Sequence, residues 1–308
     1  MYGLLGMDTS AGLSGMLEFF LADTIKILLL LFVMIAVIGF FRSFVSQERL
    51  KRWLSGRRTL LSHFAASAFG SVTPFCSCSS IPIFFSFLKA GIPLGVSFSF
   101  LITSPIVNEY LVVLMFAFFG WKITAAYVLS GIILGVIAGM ALGRMGLERY
   151  LEKDMRAVKT KDIKFSSWKD RVKFGIDESW GITRKIWYWV VIGVGVGAII
   201  HNYVPQSLIE QTLGRTGWLA VPLAVIVGVP IYGSCAAIVP IAVALLGKGV
   251  QLGTTLVFMM AVAALSLPEA IILRRAMKLK LILIFFGIVT LLIIFTGYLF
   301  NFLQPLLI

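Results

Sequence analysis

Thr73-Pro-Phe-Cys-Ser-Cys-Ser-Ser-Ile-Pro82 interrupts an apolar run that otherwise extends from Ser62 to Leu88. Each proline deletes a backbone donor and breaks helical continuity. Inside a bilayer, non-helical backbone persists only where protein or a water-filled cavity satisfies its polar groups. The stretch therefore reads as a break in a membrane segment, and the rest of the chain is read outward from it.

The surrounding composition leaves no other environment. Of 308 residues, 59% are hydrophobic and only 13% charged, with a mean hydropathy of +0.98. A soluble domain needs about a quarter charged residues to clothe its surface. Apolar runs of about 20 residues recur and read as membrane spans. The formal charge of +13 would suit nucleic acid, but the charges cluster in short loops between apolar runs, as membrane topology requires, so no nucleic-acid partner is expected. No Lys or Arg precedes Lys26, whereas Asp8, Glu18 and Asp23 do, so a cationic leader is missing and the N-terminus is expected outside the cytoplasm. Cys76, Cys78 and Cys235 all lie in apolar segments, which argues against a disulfide framework.

Outward from the break, the chain reads as an all-α polytopic membrane protein. A first span covers about 24–41 and a basic loop follows, with Arg42, Arg49, Lys51, Arg52, Arg57 and Arg58. After the broken segment comes a second one, Leu94 to Phe119, interrupted at Thr103-Ser104-Pro105 and Asn108-Glu109, and then a span from Ile123 to Leu142. Residues 1–143 form an N-terminal membrane repeat, 144–185 a basic linker, and 186–308 a C-terminal membrane repeat. In the latter, Ile186 to about Val204 is a span, Trp218 to Leu246 is broken at Pro230, Gly233 and Pro240, and Gly253 to Leu273 carries Pro268-Glu269. A last span ends near Phe302. Ile81-Pro82-Ile83 is echoed by Val239-Pro240-Ile241, Gly91 and Gly95 by Gly249 and Gly253, and Glu109 by Glu269 at similar distance. Internal repeats of this kind build many transporters.

Charge fixes the topology. Most of the 27 Lys and Arg residues lie in 42–58, 144–185 and 274–280, so all three regions are expected in the cytoplasm. If every apolar segment crossed once, the first two would fall on opposite sides. One segment per half must enter and leave by the same face. The Pro/Cys segment is the favoured one, its arms of roughly 10–12 residues suiting half-membrane helices at about 1.5 Å per residue; the Pro/Glu segment is the alternative, and a merely kinked span the plain reading. Two inverted repeats result, each with full spans plus a broken or re-entrant Pro/Cys or Pro/Gly hairpin, and with both termini outside. Phe165, Trp168, Val172 and Ile176 recur at helical spacing among Lys169, Asp170, Arg171 and Lys173, as in a helix lying on the cytoplasmic interface; a solvated tether is the alternative.

Two constellations carry chemistry. At the first break, Pro74, Cys76, Ser77, Cys78, Ser79 and Ser80 cluster, and Ser79 and Ser80 are placed to cap the second arm with Pro82 in its first turn. A helix N-terminus so aimed favours an anion or a thiolate, and thiolates select soft partners. Ser234 and Cys235 would reach the same depth from the other half, although buried cysteines are often only small hydrophobes. Glu109 and Glu269, with Asn108 as a neutral hydrogen-bonding neighbour, are the second. A carboxylate within a span is expensive and is by default a functional candidate for proton coupling; the plain reading is that both cap broken helices or pair with Lys. Gly193-Val-Gly-Val-Gly197 lies mid-span and reads as helix packing, not a nucleotide loop. His63 and His201 lie near segment ends and read as interfacial, so no metal site is expected; no phosphate-binding loop occurs, and no cofactor or enzymatic activity is expected.

With Thr73-Pro-Phe-Cys-Ser-Cys-Ser79 and Thr103-Ser-Pro-Ile-Val-Asn-Glu109 in hand, the chain resembles the bacterial and archaeal predicted-permease family that includes the organoarsenical efflux permease ArsP and the YraQ proteins. The likeness runs from about 24 to the end. It implies a multi-span permease of the cell (inner) membrane and, for the ArsP branch, export of trivalent organoarsenicals through membrane cysteines, which Cys76, Cys78 and Cys235 match. The expected partners are a small-molecule or metalloid substrate and membrane lipids, with a homo-oligomer compatible. The expected function is a secondary permease exporting a small soft or thiol-reactive solute, a trivalent (organo)arsenical above all. Alternatives are a permease for another small anion or sulfur compound, or a thiol–disulfide oxidoreductase using Cys76 and Cys78, whose single intervening residue would strain a disulfide.

Overall fold

A computed structural model describes residues 59–72, 77–152, 167–203, 217–231 and 235–307, together with helical residues scattered between 20 and 40. The described residues are helical, with one isolated bridge between Leu151 and Met277. We label the helices α1 (Thr59–Val72), α2 (Ser77–Lys89), α3 (Leu94–Ile106), α4 (Glu109–Arg144), α5 (Trp168–Tyr203), α6 (Ala220–Gly228), α7 (Cys235–Gly247), α8 (Leu252–Ala264), α9 (Leu267–Leu273) and α10 (Leu279–Leu307). The stretches Glu109–Arg144, Leu252–Leu273 and Leu279–Leu307 are long and apolar enough to cross a membrane. α2, α3, α7 and α8 have 13 residues each. At about 1.5 Å per residue, that is roughly 20 Å, short of a hydrocarbon core of about 30 Å.

Prolines and glycines set these bounds. α3 ends where Val107 and Asn108 turn extended, and Asn108 caps α4. α4 is not continuous: Gly120 has φ 77° and ψ 174°, outside the helical region, so its 36 residues form two pieces meeting at that glycine. Gly91 (φ 77°) and Gly249 (φ 83°) stand at the turns after α2 and α7, where the left-handed conformation favours glycine. The interval between counterparts stays constant from Ser77/Cys235 through Pro82/Pro240, Gly91/Gly249, Gly95/Gly253 and Asn108/Ser266 to Gly139/Gly297. Helix ends, turn glycines and caps thus recur in step.

Close approaches give the relative directions. Gly95 meets Gly139 and Gly143, Ser99 meets Gly139, Thr103 meets Gly135, and Ile106 and Val107 meet Gly131. Numbers rise on one helix as they fall on the other, so α3 and the second piece of α4 run antiparallel. The midpoint between Val107 and Gly131 is next to Gly120, where the chain reverses. By contrast His63 and Ser67 touch Ser99, while Gly70 touches Phe100 and Ser104. α1 and α3 therefore run parallel, and α2 joins the end of one to the start of the other. In the second half Gly253 meets Gly297 and Asn301, and the Leu252 amide donates to Gln304, so α8 and α10 are antiparallel. Gly228 lies against Phe258 and Val262, as Gly70 does against their counterparts.

Several contacts join the halves among the described residues. Beyond α4, Lys278 donates its amide to the Tyr150 carbonyl at 2.9 Å and Glu152 donates to Ala276 at 2.9 Å, which ties the end of α4 to the start of α10. Phe98 of α3 stacks on Phe285 of α10 with ring centroids 5.2 Å apart. α3 and α8 are buried along their whole length and touch one another at the centre.

Of the helix expected on the interface over Phe165–Ile176, Phe165 lies outside the described residues, and Trp168 to Ile176 form the opening of α5, which does not stop there but runs 36 residues to Tyr203. Its Gly175 and Ser179 pack against Ala36 and Phe32, while Trp168, Val172, Ile176 and Trp180 stay exposed. The rings of Trp168 and Trp180 also lie against Phe40 and Phe32, so the contacts with the residues between 20 and 40 continue past residue 176.

Candidate functional site

Two breaks frame the site. Thr73 to Cys76 lie between α1 and α2, and Ile231 to Ser234 between α6 and α7. Pro74, Cys76 and Ser234 fall outside the described residues. Ser77, Cys78 and Ser79 open α2 and Cys235 opens α7, with side chains likewise outside them. Because α2 begins at Ser77, Ser79 and Ser80 are inside the helix and are not its cap, and Pro82 lies in its second turn. The proline consequently withholds the hydrogen bond that the Cys78 carbonyl would accept, and Pro240 does the same to Ala236. Each break is followed by a helix whose first turn has a carbonyl lacking its usual donor four residues on. Ser80 is fully buried and its hydroxyl shares a hydrogen bond with Ser104 on α3 at 2.7 Å.

The two carboxylates part company. Glu109 is the first residue of α4 and is exposed. Asn108 caps that helix, its side-chain oxygen accepting the Tyr110 amide at 2.9 Å. Glu269, in contrast, is 2% exposed. It lies three residues after the cap Ser266, the spacing of a reciprocal cap in which the carboxylate would bond back to the cap's amide. That cap does not form. Ser266 makes no side-chain cap bond, and neither carboxylate oxygen of Glu269 has a hydrogen-bond partner among the described residues.

Position explains the difference. The constant interval makes Leu267 the counterpart of Glu109, and the fully buried Leu111 the counterpart of Glu269. The acidic residue of the second half thus occupies a position that the helix register turns inward in both. α9 packs against α2, which follows the first break. The amide of Leu267, at the start of α9, donates to the carbonyl of Val229, where the second break begins, at 3.2 Å. One seven-residue helix bearing a buried carboxylate therefore touches elements adjoining both breaks. In the mirrored contact, α7 packs against α4.

His63 departs from the interfacial expectation: it is buried, with Nδ1 2.8 Å from the Ser99 hydroxyl. The sequence signal was present in the four-residue spacings of His63 with Ser67 and of Ser99 with Thr103, which put each pair on one face of its helix. No group of three or more His, Cys, Asp or Glu able to hold a metal ion occurs among the described residues.

Among the described residues, an all-helical arrangement with three stretches long and apolar enough to cross a membrane, further short apolar helices, and a buried carboxylate without a hydrogen-bond partner defines a multi-pass membrane protein. Comparison with known proteins makes this specific. A family model described as a predicted permease, of ArsP type, matches residues 12–302, and the chain belongs to that family. It is 20% identical to the UPF0718 protein MJ0584 of Methanocaldococcus jannaschii, over 81% of this chain and 84% of that one. It is 28% identical to the UPF0718 protein YcgR of Bacillus subtilis, over 57% of this chain and 60% of that one. A Streptococcus mutans protein named as a subunit of a two-component membrane permease complex is 22% identical over 63% of this chain and 65% of its own length. No solved structure matches. The family is one of membrane transporters, not of enzymes, which implies a small-molecule substrate and a membrane environment.

Proposed function

We propose that this chain is a secondary permease of the cell (inner) membrane that exports a small soft solute, a trivalent (organo)arsenical above all, through a site between the two breaks. The observation that carries the reading is Glu269, a buried carboxylate without a hydrogen-bond partner among the described residues, on a helix that touches elements adjoining both breaks. Helix direction supports the topology. α1 parallel to α3, and α3 antiparallel to the end of α4, puts the start of α1 at Thr59 on the same side as Arg144, which supports a cytoplasmic position for the basic residues preceding it. The ties between Tyr150 and Lys278 bring 274–280 to that side too. The first broken segment is then a re-entrant hairpin, the halves 1–143 and 186–308 are inverted repeats, the 144–185 region begins in the cytoplasm, and both termini lie outside.

In this reading Cys76 and Cys78 take the arsenical and Cys235 accepts or releases it from the other break. Methylarsenite carries two hydroxyls on arsenic. Each is displaced by one sulfur, the thiol proton leaving with the hydroxyl as water. The Cys78 carbonyl and the serines at 77, 79, 80 and 234 supply polar contacts, and Pro74 keeps the chain open there. Asn108 borders the site as a neutral neighbour. Glu269 exchanges the coupling proton, and Glu109, at the start of α4, is the second carboxylate assigned to coupling.

Proteoliposome flux tests it, with methylarsenite, arsenite and oxyanions supplied separately, each with and without a proton gradient. The expected result is saturable methylarsenite flux that the gradient drives and that Cys76→Ser abolishes. Undiminished flux in the variant lacking all three cysteines rejects the thiol step.

A further inference from the structure

A column of buried polar side chains runs along the seam of α1, α3 and α4. His63 Nδ1 meets the Ser99 hydroxyl at 2.8 Å, and the Ser67 hydroxyl donates to the Ser99 carbonyl at 3.5 Å. One turn further along α3, the Thr103 hydroxyl faces Gly135, the glycine on α4 that Ser67 also approaches. It is fully buried and has no partner among the described residues. The next residue, Ser104, shares its hydroxyl with Ser80 in the opening turns of α2, just beyond the first break. The column therefore leads from the end of α1 nearest Arg144 to the neighbourhood of the site.

Buried serines and threonines on membrane helices often serve only packing. The second repeat shows that packing does not need them. At the positions corresponding to His63, Ser67, Ser99, Thr103, Ser104 and Ser80 stand Val221, Val225, Val257, Ala261, Val262 and Ile238. One glycine seat is shared: Gly139 receives Ser99, and Gly297 receives Val257 and Val221, whereas Gly135, which faces Thr103, is matched by Ile293. One backbone arrangement is closed by hydroxyls in one repeat and by methyls in the other. Burying a polar group with no partner costs free energy, so a seam built only to pack would carry methyls in both. Hydroxyl and imidazole groups both donate and accept hydrogen bonds, which is what passing a proton from group to group requires.

We propose that water and protons reach the central site through one repeat only, along the His63–Ser67–Ser99–Thr103 seam, and that the corresponding seam of the second repeat stays dry. The proposal rests on the two-break reading above. Besides Ser99, the groups facing His63 are the backbones of Gly95 and Gly143 and the cationic side chain of Arg144 at the end of α4. A proton taken up by the imidazole is passed to the Ser99 hydroxyl, whose own proton, otherwise donated to the Gly95 carbonyl, moves to a water entering the seam between Ser99 and Thr103.

Cysteine accessibility in the full-length chain in proteoliposomes tests this without any assumed substrate. Ser67→Cys, Ser99→Cys and Thr103→Cys are compared with Val225→Cys, Val257→Cys and Ala261→Cys. A small charged methanethiosulfonate is the probe, and peptide mass spectrometry locates the label, so the native cysteines stay in place. We expect at least tenfold faster labelling at the three first-repeat positions. Equal rates, or faster labelling in the second repeat, overturn the proposal, and so does no labelling at any of the six. Because Ser99→Cys could disturb the His63 contact, Thr103→Cys serves as the second variant, its hydroxyl having no described partner to lose. A seam that labels as expected in a protein with no methylarsenite flux upholds the conduit and rejects the substrate.

Discussion

Replacing Glu269 by leucine should make the protein more stable and inactive at once. The carboxylate is 2% exposed, and neither oxygen finds a hydrogen-bond donor among the described residues. A buried polar group left unpaired costs about 1–3 kcal/mol. A leucine of similar volume removes that cost and stands where the first repeat already buries Leu111. Against this, an acidic residue in the first turn of a helix contributes about 0.3–1 kcal/mol through the helix dipole, and α9 is only seven residues long. The net expectation is a gain of about 1–2 kcal/mol. For a chain of 308 residues that corresponds to a rise in Tm of roughly 1.5–3 °C. The assay is thermal unfolding of purified protein in detergent by tryptophan fluorescence, run beside gradient-driven flux in proteoliposomes. A fall in Tm would mean that the carboxylate has a structural partner, and the argument that it is held unpaired for work would collapse. Unchanged flux would remove it from the coupling step. Glu269→Gln separates the two roles, since it keeps the polar volume but cannot exchange a proton.

Two further outcomes follow from local geometry. Gly139→Ala should cost about 1–3 kcal/mol as an overpacked contact, because a Cβ there stands 2.6 Å from the Gly95 carbonyl oxygen and against the Ser99 hydroxyl; Gly247→Ala, with open space around it, is the control, and thermal unfolding reads both. Tyr150, in the turn after α4, has its phenol held below the usual tyrosine value, first by its hydrogen bond to Lys280 and also by Arg149, with burial opposing. A depressed acid stabilises the fold above its unfolded pKa, and that contribution fades as pH falls through the folded one. Ultraviolet difference titration should therefore show one tyrosine ionising early, and Lys280→Met should return it towards the others; identical curves for the two proteins would rule the contact out.

Much of the frame was legible because prolines and glycines act locally. Pro82 with Pro240 and Gly91 with Gly249 were readable as counterparts, and they stand at matching places in matching helices. Side-chain exposure was harder to read. Glu109 and Glu269 look paired by spacing to nearby prolines, yet burial depends on position within the helix, and the two differ there by two residues. About 100° of helix separates adjacent positions, so an offset of two turns a side chain from one face to the other. His63 looked interfacial because it stands near the end of an apolar run. Its burial comes from α3, which is distant in sequence and closes over it. The length of α5 was hidden for a related reason: its charged opening turns resemble a linker, but Gly175 and Ser179 give them a packed face.

The same duplication explains why function is concentrated unevenly. Glycine contacts such as Gly95–Gly139 and Gly253–Gly297 leave no space for a larger side chain, so both repeats must keep them to fold. Residues seated on those glycines are less constrained, since Ser99 and Val257 fill equivalent places. Once the frame is doubly specified, polar groups need to appear only once, and each extra buried copy would cost stability. Glu269 occurs in the second repeat and the hydroxyl seam in the first, and α2 and α9 bring the two into the same region. In the proposed reading, a site assembled from unlike contributions of like halves is asymmetric, so its two sides would present different chemistry to a solute.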